Sequence, residues 1–346
     1  MTFAMRMTAA IVVAIGLVLV VGTFQLPPVD SIQRGYRGTG MVELYHPAAL
    51  EALAKVNQAP ESSPPQPPSG QLASQVFENV QVLRDVDVSE FLRLMTDLTA
   101  WVSPQQGCAY CHAEGEPLSA DTLYTKVVAR RMLEMTRYIN SDWKNHVTTT
   151  GVTCYTCHRG QPLPANVWTT DPGPATTQGM AGNRAGQNWP APAIGLTSLP
   201  YDPFTAFVSG ATDPRVISTT ALPEGNKHSI KQTEWTYSFM MHISQSLGVN
   251  CTFCHNSRSF TGWEQSTPQR VTSWYGIRML RDLNMTYIDP LRAQLPHGRL
   301  GPLGDVPKVN CATCHQGVYK PLFGASMVKD YPELVGPAPA PAPANR

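Results

Sequence analysis

The chain has 346 residues, and 26 Lys and Arg nearly balance 25 Asp and Glu, for a net charge of +1. Charged residues are only 15% of the total, so nothing points to a nucleic-acid partner. Proline is abundant at 31 residues, which predicts long irregular connections.

The first element is an uncharged apolar run from Ala9 to Phe24, preceded by a single cation, Arg6, and ended by Gln25-Leu26-Pro27-Pro28. It sits at the short end of the roughly 17–25 residues that cross a bilayer. A cleaved signal peptide needs a small-residue site just after the run, and Val21-Gly22-Thr23 is a poor version of one. No cysteine follows the run, which leaves no site for a lipid-modified N-terminal Cys. Residues 1–28 therefore read as an uncleaved single-span membrane anchor. One cation is too little to set its orientation.

Residues 29–75 carry few helical signals and read as an extended Gly/Pro-rich segment. Gly35-Tyr36-Arg37-Gly38-Thr39-Gly40-Met41 lacks the following helix that a phosphate-cradling loop needs, and Ala59 to Gly70 is a Pro/Ser-rich linker or surface loop. Four helices are predicted beyond it. The first, Val88 to Val102, is capped by Ser89 and sets Phe91, Met95, Leu98 and Trp101/Val102 on one face. The second, Ser119 to Asn140, carries Tyr124, Val128, Met132, Met135 and Ile139. The third, Ile230 to Leu247, carries Phe239, Met240, Ile243 and Leu247, with Gly248 suited to its C-cap. The fourth opens at Thr267-Pro268, carries Val271, Tyr275, Met279 and Leu283, and ends before Pro290. Residues 326–346 read as a Pro/Ala-rich tail, of polyproline type from Gly336 to Arg346.

After each helix comes the same pentapeptide pattern. Cys108-Ala109-Tyr110-Cys111-His112, Cys154-Tyr155-Thr156-Cys157-His158, Cys251-Thr252-Phe253-Cys254-His255 and Cys311-Ala312-Thr313-Cys314-His315 together use all 8 cysteines. C-x-x-C-H is the attachment site of c-type haem. The two thiols add to the haem vinyl groups, and the adjacent imidazole becomes the proximal iron ligand. A disulfide framework would not require His after every second Cys. A zinc site would draw four ligands from two pairs and leave the trailing His unexplained. The expected cofactors are four covalently bound haem c groups, and covalent attachment of this kind belongs outside the cytoplasm.

The motifs fall into two similar halves, 76–170 and 226–325, joined by a connecting segment at 171–225. Arg131-Met132-Leu133 echoes Arg278-Met279-Leu280, and the Met-to-Cys spacing is short then long in each half. The fold class expected is mainly α with long irregular loops: a multihaem cytochrome of two di-haem halves plus one N-terminal transmembrane helix. Each Met helix would offer a sixth ligand, which makes Met95, Met132 and Met240 candidates. Thioether ligation raises a haem potential relative to a second His, so ligand choice is redox tuning. The fourth site stays open on this reading: the internal repeat suggests Met279, and His46, His146, His228, His242 and His297 are unassigned.

The Gly35–Met41 stretch, the motif spacings and the Met helices resemble the tetrahaem cytochrome subunit of purple-bacterial photosynthetic reaction centres, from about residue 30 to residue 325. The resemblance implies Met95, Met132 and Met240 as sixth ligands of the first three haems, and His146 opposite His315 at the fourth. It implies a periplasmic haem domain on the photosynthetic membrane, resting on the L and M type core subunits and re-reducing the bacteriochlorophyll special pair. The donor would be a soluble cytochrome c or high-potential iron–sulfur protein. Membrane lipid and surrounding light-harvesting antenna are further expected contacts. The third haem would lie nearest the special pair, followed by the fourth, second and first. With every iron six-coordinate no substrate position remains, so an electron-transfer subunit and not an enzyme is expected. The rivals are a multihaem oxidoreductase with one open iron and a membrane-anchored quinol dehydrogenase.

Overall fold

The structure, a computed structural model, describes residues 2–23, 29–34, 40–171, 191–210, 212–216 and 230–336. Gly35 to Thr39, His228, much of the connecting segment and the tail beyond Gly336 lie outside the described residues. The described part is mostly helical with long loops. Helix α1 (Phe3–Thr23) has a mean hydropathy of 2.4 and no buried residue. An apolar helix left exposed among the described residues fits a membrane anchor.

The segment after α1 departs from the expected extended chain. β1 (Asp30–Arg34) pairs antiparallel with β2 (Met41–Tyr45), Asp30 opposite Tyr45 and Arg34 opposite Met41. A ten-residue helix follows, α2 (Pro47–Val56), with Pro at its first position, where a missing N–H costs nothing. The Pro/Ser-rich stretch is a strap rather than a free linker. Its Ser63 hydroxyl donates to Asp97 at 2.5 Å, its Gln66 N–H to Glu90 at 2.7 Å, and its Ser69 and Gly70 N–H groups to Asp87. A one-turn helix, α3 (Ala73–Val76), leads from it toward α4.

Helix α4 (Val88–Val102) has the expected ends but a different cap: the Asp87 carboxylate, not the Ser89 hydroxyl, accepts the Ser89 N–H at 2.9 Å. An ionised cap interacts more strongly with the helix N-terminus than a hydroxyl does. Hydrogen bonds, first from the Ser69 backbone, hold the Asp87 carboxyl below its usual range. Helix α5 (Tyr124–Asp142) begins later than Ser119, since residues 118–120 form a loop gripped by Lys126. The short α6 (Lys144–Val147) carries His146. The second motif is itself a helix, α7 (Cys154–His158). Helix α8 (Ile230–Leu247) has the expected ends, and Gly248 closes it at φ +63. Helix α9 (Pro268–Leu283) runs on through a π turn, Asn284–Ile288, and a 3-10 turn that contains Pro290. The fourth motif is α10 (Cys311–His315).

Two apolar clusters hold these helices. One gathers Phe204, Phe207, Phe239, Ile243, Ile277 and Leu280 around α8 and α9. The other packs Leu94 and Trp101 of α4 and Leu133 of α5 against Leu322, Tyr331 and Leu334 near the C-terminus. Polar contacts pin that C-terminal stretch to α4. The Tyr331 hydroxyl donates to Asp97 at 2.8 Å, Arg93 donates to the Asp330 carbonyl at 2.7 Å, and the Arg93 guanidinium lies 4.4 Å from the centre of the Tyr331 ring. Arg93, Asp97 and the Tyr331 hydroxyl are tolerated in this buried setting because each finds a partner.

Candidate haem-binding and electron-transfer site

The first and third motifs form 3-10 turns, Gly107–Tyr110 and Cys251–Phe253. In each, the His N–H donates to the carbonyl of the first Cys at 2.9 Å. That bond closes the pentapeptide into a tight turn. A threonine closes each turn from outside: Thr125 donates to the Tyr110 carbonyl and Thr267 to the Phe253 carbonyl.

The second and fourth motifs form the one-turn helices α7 and α10. The Thr153 N–H donates to the Thr156 hydroxyl, and the Asn310 N–H to the Thr313 hydroxyl, each at 3.0 Å. Arg159 (φ 50) and Gln316 (φ 48) then take the left-handed conformation that ends the turn. An asparagine clamps the residue two before each first Cys. The Asn140 amide exchanges hydrogen bonds with the Val152 N–H and carbonyl, and Asn284 does the same with Val309. Nothing in the sequence reading singled out these asparagines.

All four motif histidines are presented alike. Nδ1 of His112, His158, His255 and His315 meets the carbonyl of Leu118, Gln161, Phe260 and Val318 at 3.0, 2.8, 2.8 and 3.1 Å. A carbonyl only accepts, so Nδ1 carries the proton and Nε2 keeps its lone pair. This is how a metal-ligating His is held in one tautomer. Burial lowers the pKa of all four rings, that of His315 to about 4, so they are neutral near pH 7. Burial also pushes the thiols of Cys154 and Cys311 up to about 12 and that of Cys254 to about 11.

A largely apolar cleft, about 1330 Å³ counting its open mouth, lies over the second motif. Cys154, Cys157 and His158 line it together with Met132, and Arg299 lies on its wall. The α5 stripe Tyr124, Val128, Met132, Met135 and Ile139, read from helical spacing, is one wall, and Leu98 and Val102 of α4 form another part. Those stripes line a largely apolar space. The thiols, the free Nε2 and the thioether are the donor types that would hold a c-type haem, so the residues fit the group.

The other expected ligands are placed as follows. His146 reaches the fourth motif: its ring centre is 6.0 Å from that of His315, at 68° between planes. Its Nδ1 meets the Thr272 carbonyl at 3.0 Å, and burial lowers its pKa. Two imidazoles on one metal, with metal–nitrogen bonds of about 2 Å, need roughly this separation. Met95 and Met240 are half-buried on α4 and α8 beside the two clusters. Met279, the alternative for the fourth site, is a core side chain at 7% exposure. His242 is buried, donating from Nδ1 to the Ala193 carbonyl. The Sγ atoms of Cys157 and Cys314 are 2.6 Å apart, so the second and fourth motifs are neighbours.

The family model for the photosynthetic reaction centre cytochrome C subunit matches residues 25–335. The chain belongs to this family. It is 52% identical to the photosynthetic reaction center cytochrome c subunit of Rubrivivax gelatinosus, over all of this chain and 93% of that one. The corresponding subunit of Thermochromatium tepidum is 49% identical over 96% of this chain and 82% of its own. That of Roseobacter denitrificans is 41% identical over 88% and 85%. Membership makes the chain a haem electron-transfer protein of the photosynthetic reaction centre, associated with the core and with the membrane, and its cytochrome c character implies covalently bound haem c.

Proposed function

We propose that the chain holds four haem c groups, one per motif, and passes electrons through them from a soluble periplasmic carrier to the special pair. The observation that carries this reading is the common presentation of the four motif histidines, each with Nε2 free and Nδ1 fixed. Each haem, when bound, supplies one reversible one-electron iron couple. His112, His158, His255 and His315 are the proximal ligands, and the eight cysteines hold the porphyrin edges by thioether bonds. Met95, Met132 and Met240 complete the first three sites, and His146 completes the fourth. Thioether sulfur at the first three sites favours ferrous iron, while the second imidazole at the fourth lowers that preference. With these residues holding each haem iron, no position would remain for a substrate, which makes the chain a carrier rather than an enzyme.

The paired turn geometries and the matching Asn140 and Asn284 clamps support two similar di-haem halves, residues 76–170 and 226–325, linked by 171–225. The closeness of Cys157 and Cys314 supports a wire in which the second and fourth haems are adjacent. The hairpin supports an assignment of the wire's membrane end. The Met41 N–H donates to the Thr252 hydroxyl at 2.8 Å, inside the third motif, and Asn250 donates to the Met41 carbonyl at 3.2 Å. Seven residue steps join Thr23 of α1 to Asp30 of β1, a reach of at most about 25 Å. This short tether supports a reading in which the third motif is on the membrane side, nearest the L and M type subunits, and the haem body on the periplasmic face. The net charge of +1 supplies little long-range steering, so the donor, a small cytochrome c or high-potential iron–sulfur protein, docks mainly through local contacts.

Flash spectroscopy on membranes containing the complex tests this reading. Haem α-band bleaching that matches special-pair re-reduction in time is expected. An intact complex with reduced haems and no photo-oxidation would overturn it.

A further inference from the structure

We propose that Lys126 raises the potential of the first haem by weakening the hydrogen bond that backs its proximal ligand, His112. The inference rests on the reading of His112 as that ligand and goes beyond it.

The Leu118 carbonyl, which accepts from Nδ1 of His112 at 3.0 Å, also accepts from the Lys126 ammonium at 2.7 Å. The same Nζ donates to the Ala120 carbonyl at 2.7 Å and lies 3.2 Å from an oxygen of Asp121. The ammonium's three donors are therefore all directed, and Lys126 is only 9% exposed. A buried cation held in this way is weakly screened. Asp121 does not cancel it, because Arg130 holds both of its carboxylate oxygens, at 2.7 and 2.8 Å. Two cations and one carboxylate leave the cluster positive.

A metal-bound imidazole becomes a stronger donor as its Nδ1–H is drawn toward an acceptor. Lys126 polarises that acceptor and takes part of its electron density, so the carbonyl draws less on the imidazole proton. The ring then gives less to the iron, and the ferric state loses support. The positive charge acts in the same direction through space. The bland role, a loop staple holding residues 118–120, needs the hydrogen bonds but not the charge.

Redox titration of the purified complex, followed in the α-bands, separates the two roles. Lys126→Met and Lys126→Gln are expected to shift one haem wave to lower potential and leave the others in place, while Lys126→Arg stays close to the parent. A Lys126→Gln complex with the parent potentials would reduce Lys126 to a staple and overturn the proposal. Equal shifts in all waves would overturn it as well. The wave is assigned with Cys108→Ser/Cys111→Ser, which should lack that haem, or with Met95→His should the thiol variant fail to assemble. If neither alters one particular wave, the reading of the first motif falls. If one does and Lys126→Met leaves that wave unmoved, only the lysine proposal falls.

Discussion

The imidazole of His146 lies against Gly276 so closely that a Cβ there would stand 2.6 Å from its Cε1 and 2.9 Å from its Nδ1. Gly276 is inside α9, one turn beyond Thr272, whose carbonyl meets the same ring. The missing side chain makes the recess that lets His146 face His315. Gly276→Ala should therefore displace His146, with an overpacking cost of about 1–3 kcal/mol. Low-temperature EPR of the oxidised complex is the check. One low-spin haem signal should be altered or lost, and His146→Ala should alter the same one. An unaltered spectrum in both would remove His146 from the ligand set.

Exchange of a thioether for an imidazole at the third site should lower one potential. Met240→His places a second nitrogen donor on α8 in a helix of unchanged length. Redox titration should show a single wave moving down, with re-reduction of the special pair slowed in flash experiments. Four unmoved waves would show that Met240 is a packing residue.

The asparagine clamps should matter for stability more than for colour. Asn284 makes three bonds that are all buried, two from its amide nitrogen to the Val208 and Val309 carbonyls and one from the Val309 N–H. Asn284→Ala strands those partners and should cost about 2–4 kcal/mol. A thermal or chemical melt of the holoprotein reads this directly. Asn284→Asp, which keeps the acceptor but loses both donors, should fall between the two.

Stability should also depend on Glu333. Its Oε1 is buried without a hydrogen bond, Arg93 lies 3.6 Å away, and Glu90 and Asp97 add negative charge nearby. Burial raises its pKa and outweighs the arginine. The folded state then holds the proton more tightly than the unfolded chain does, so this group favours folding in acid and loses that contribution as pH rises through its folded pKa. Glu333→Gln should flatten this slope and stabilise the protein at neutral pH. Melts at two pH values on either side of the carboxylate range measure it. A steeper slope in the variant would mean that Arg93 dominates.

The four motif turns were legible because the C-x-x-C-H pattern is local in sequence. The pentapeptides are contiguous, and the α5 stripe from Tyr124 to Ile139 turned out to be a cleft wall because helical spacing fixes a face wherever that face points. The ends of α4 and α8 were readable from caps and apolar periodicity. What stayed hidden was tertiary. Thr272 and Gly276 matter to His146 only because 126 residues of chain return to place them there. The Asp87 cap lost out to Ser89 in the sequence reading because both residue types cap well. The β1–β2 hairpin and α2 were missed in a segment dominated by turn residues, although Pro47 followed by Ala48-Ala49-Leu50-Glu51 is a helix start.

The hairpin's hold on the third motif has a kinetic consequence. A cytochrome moored through α1 and docked beside its acceptor does not have to find it after each flash. Re-reduction becomes first order, with a rate independent of how much cytochrome the membrane contains, and effective concentration replaces diffusion. On the proposed function, only the encounter with a soluble donor would keep a concentration dependence.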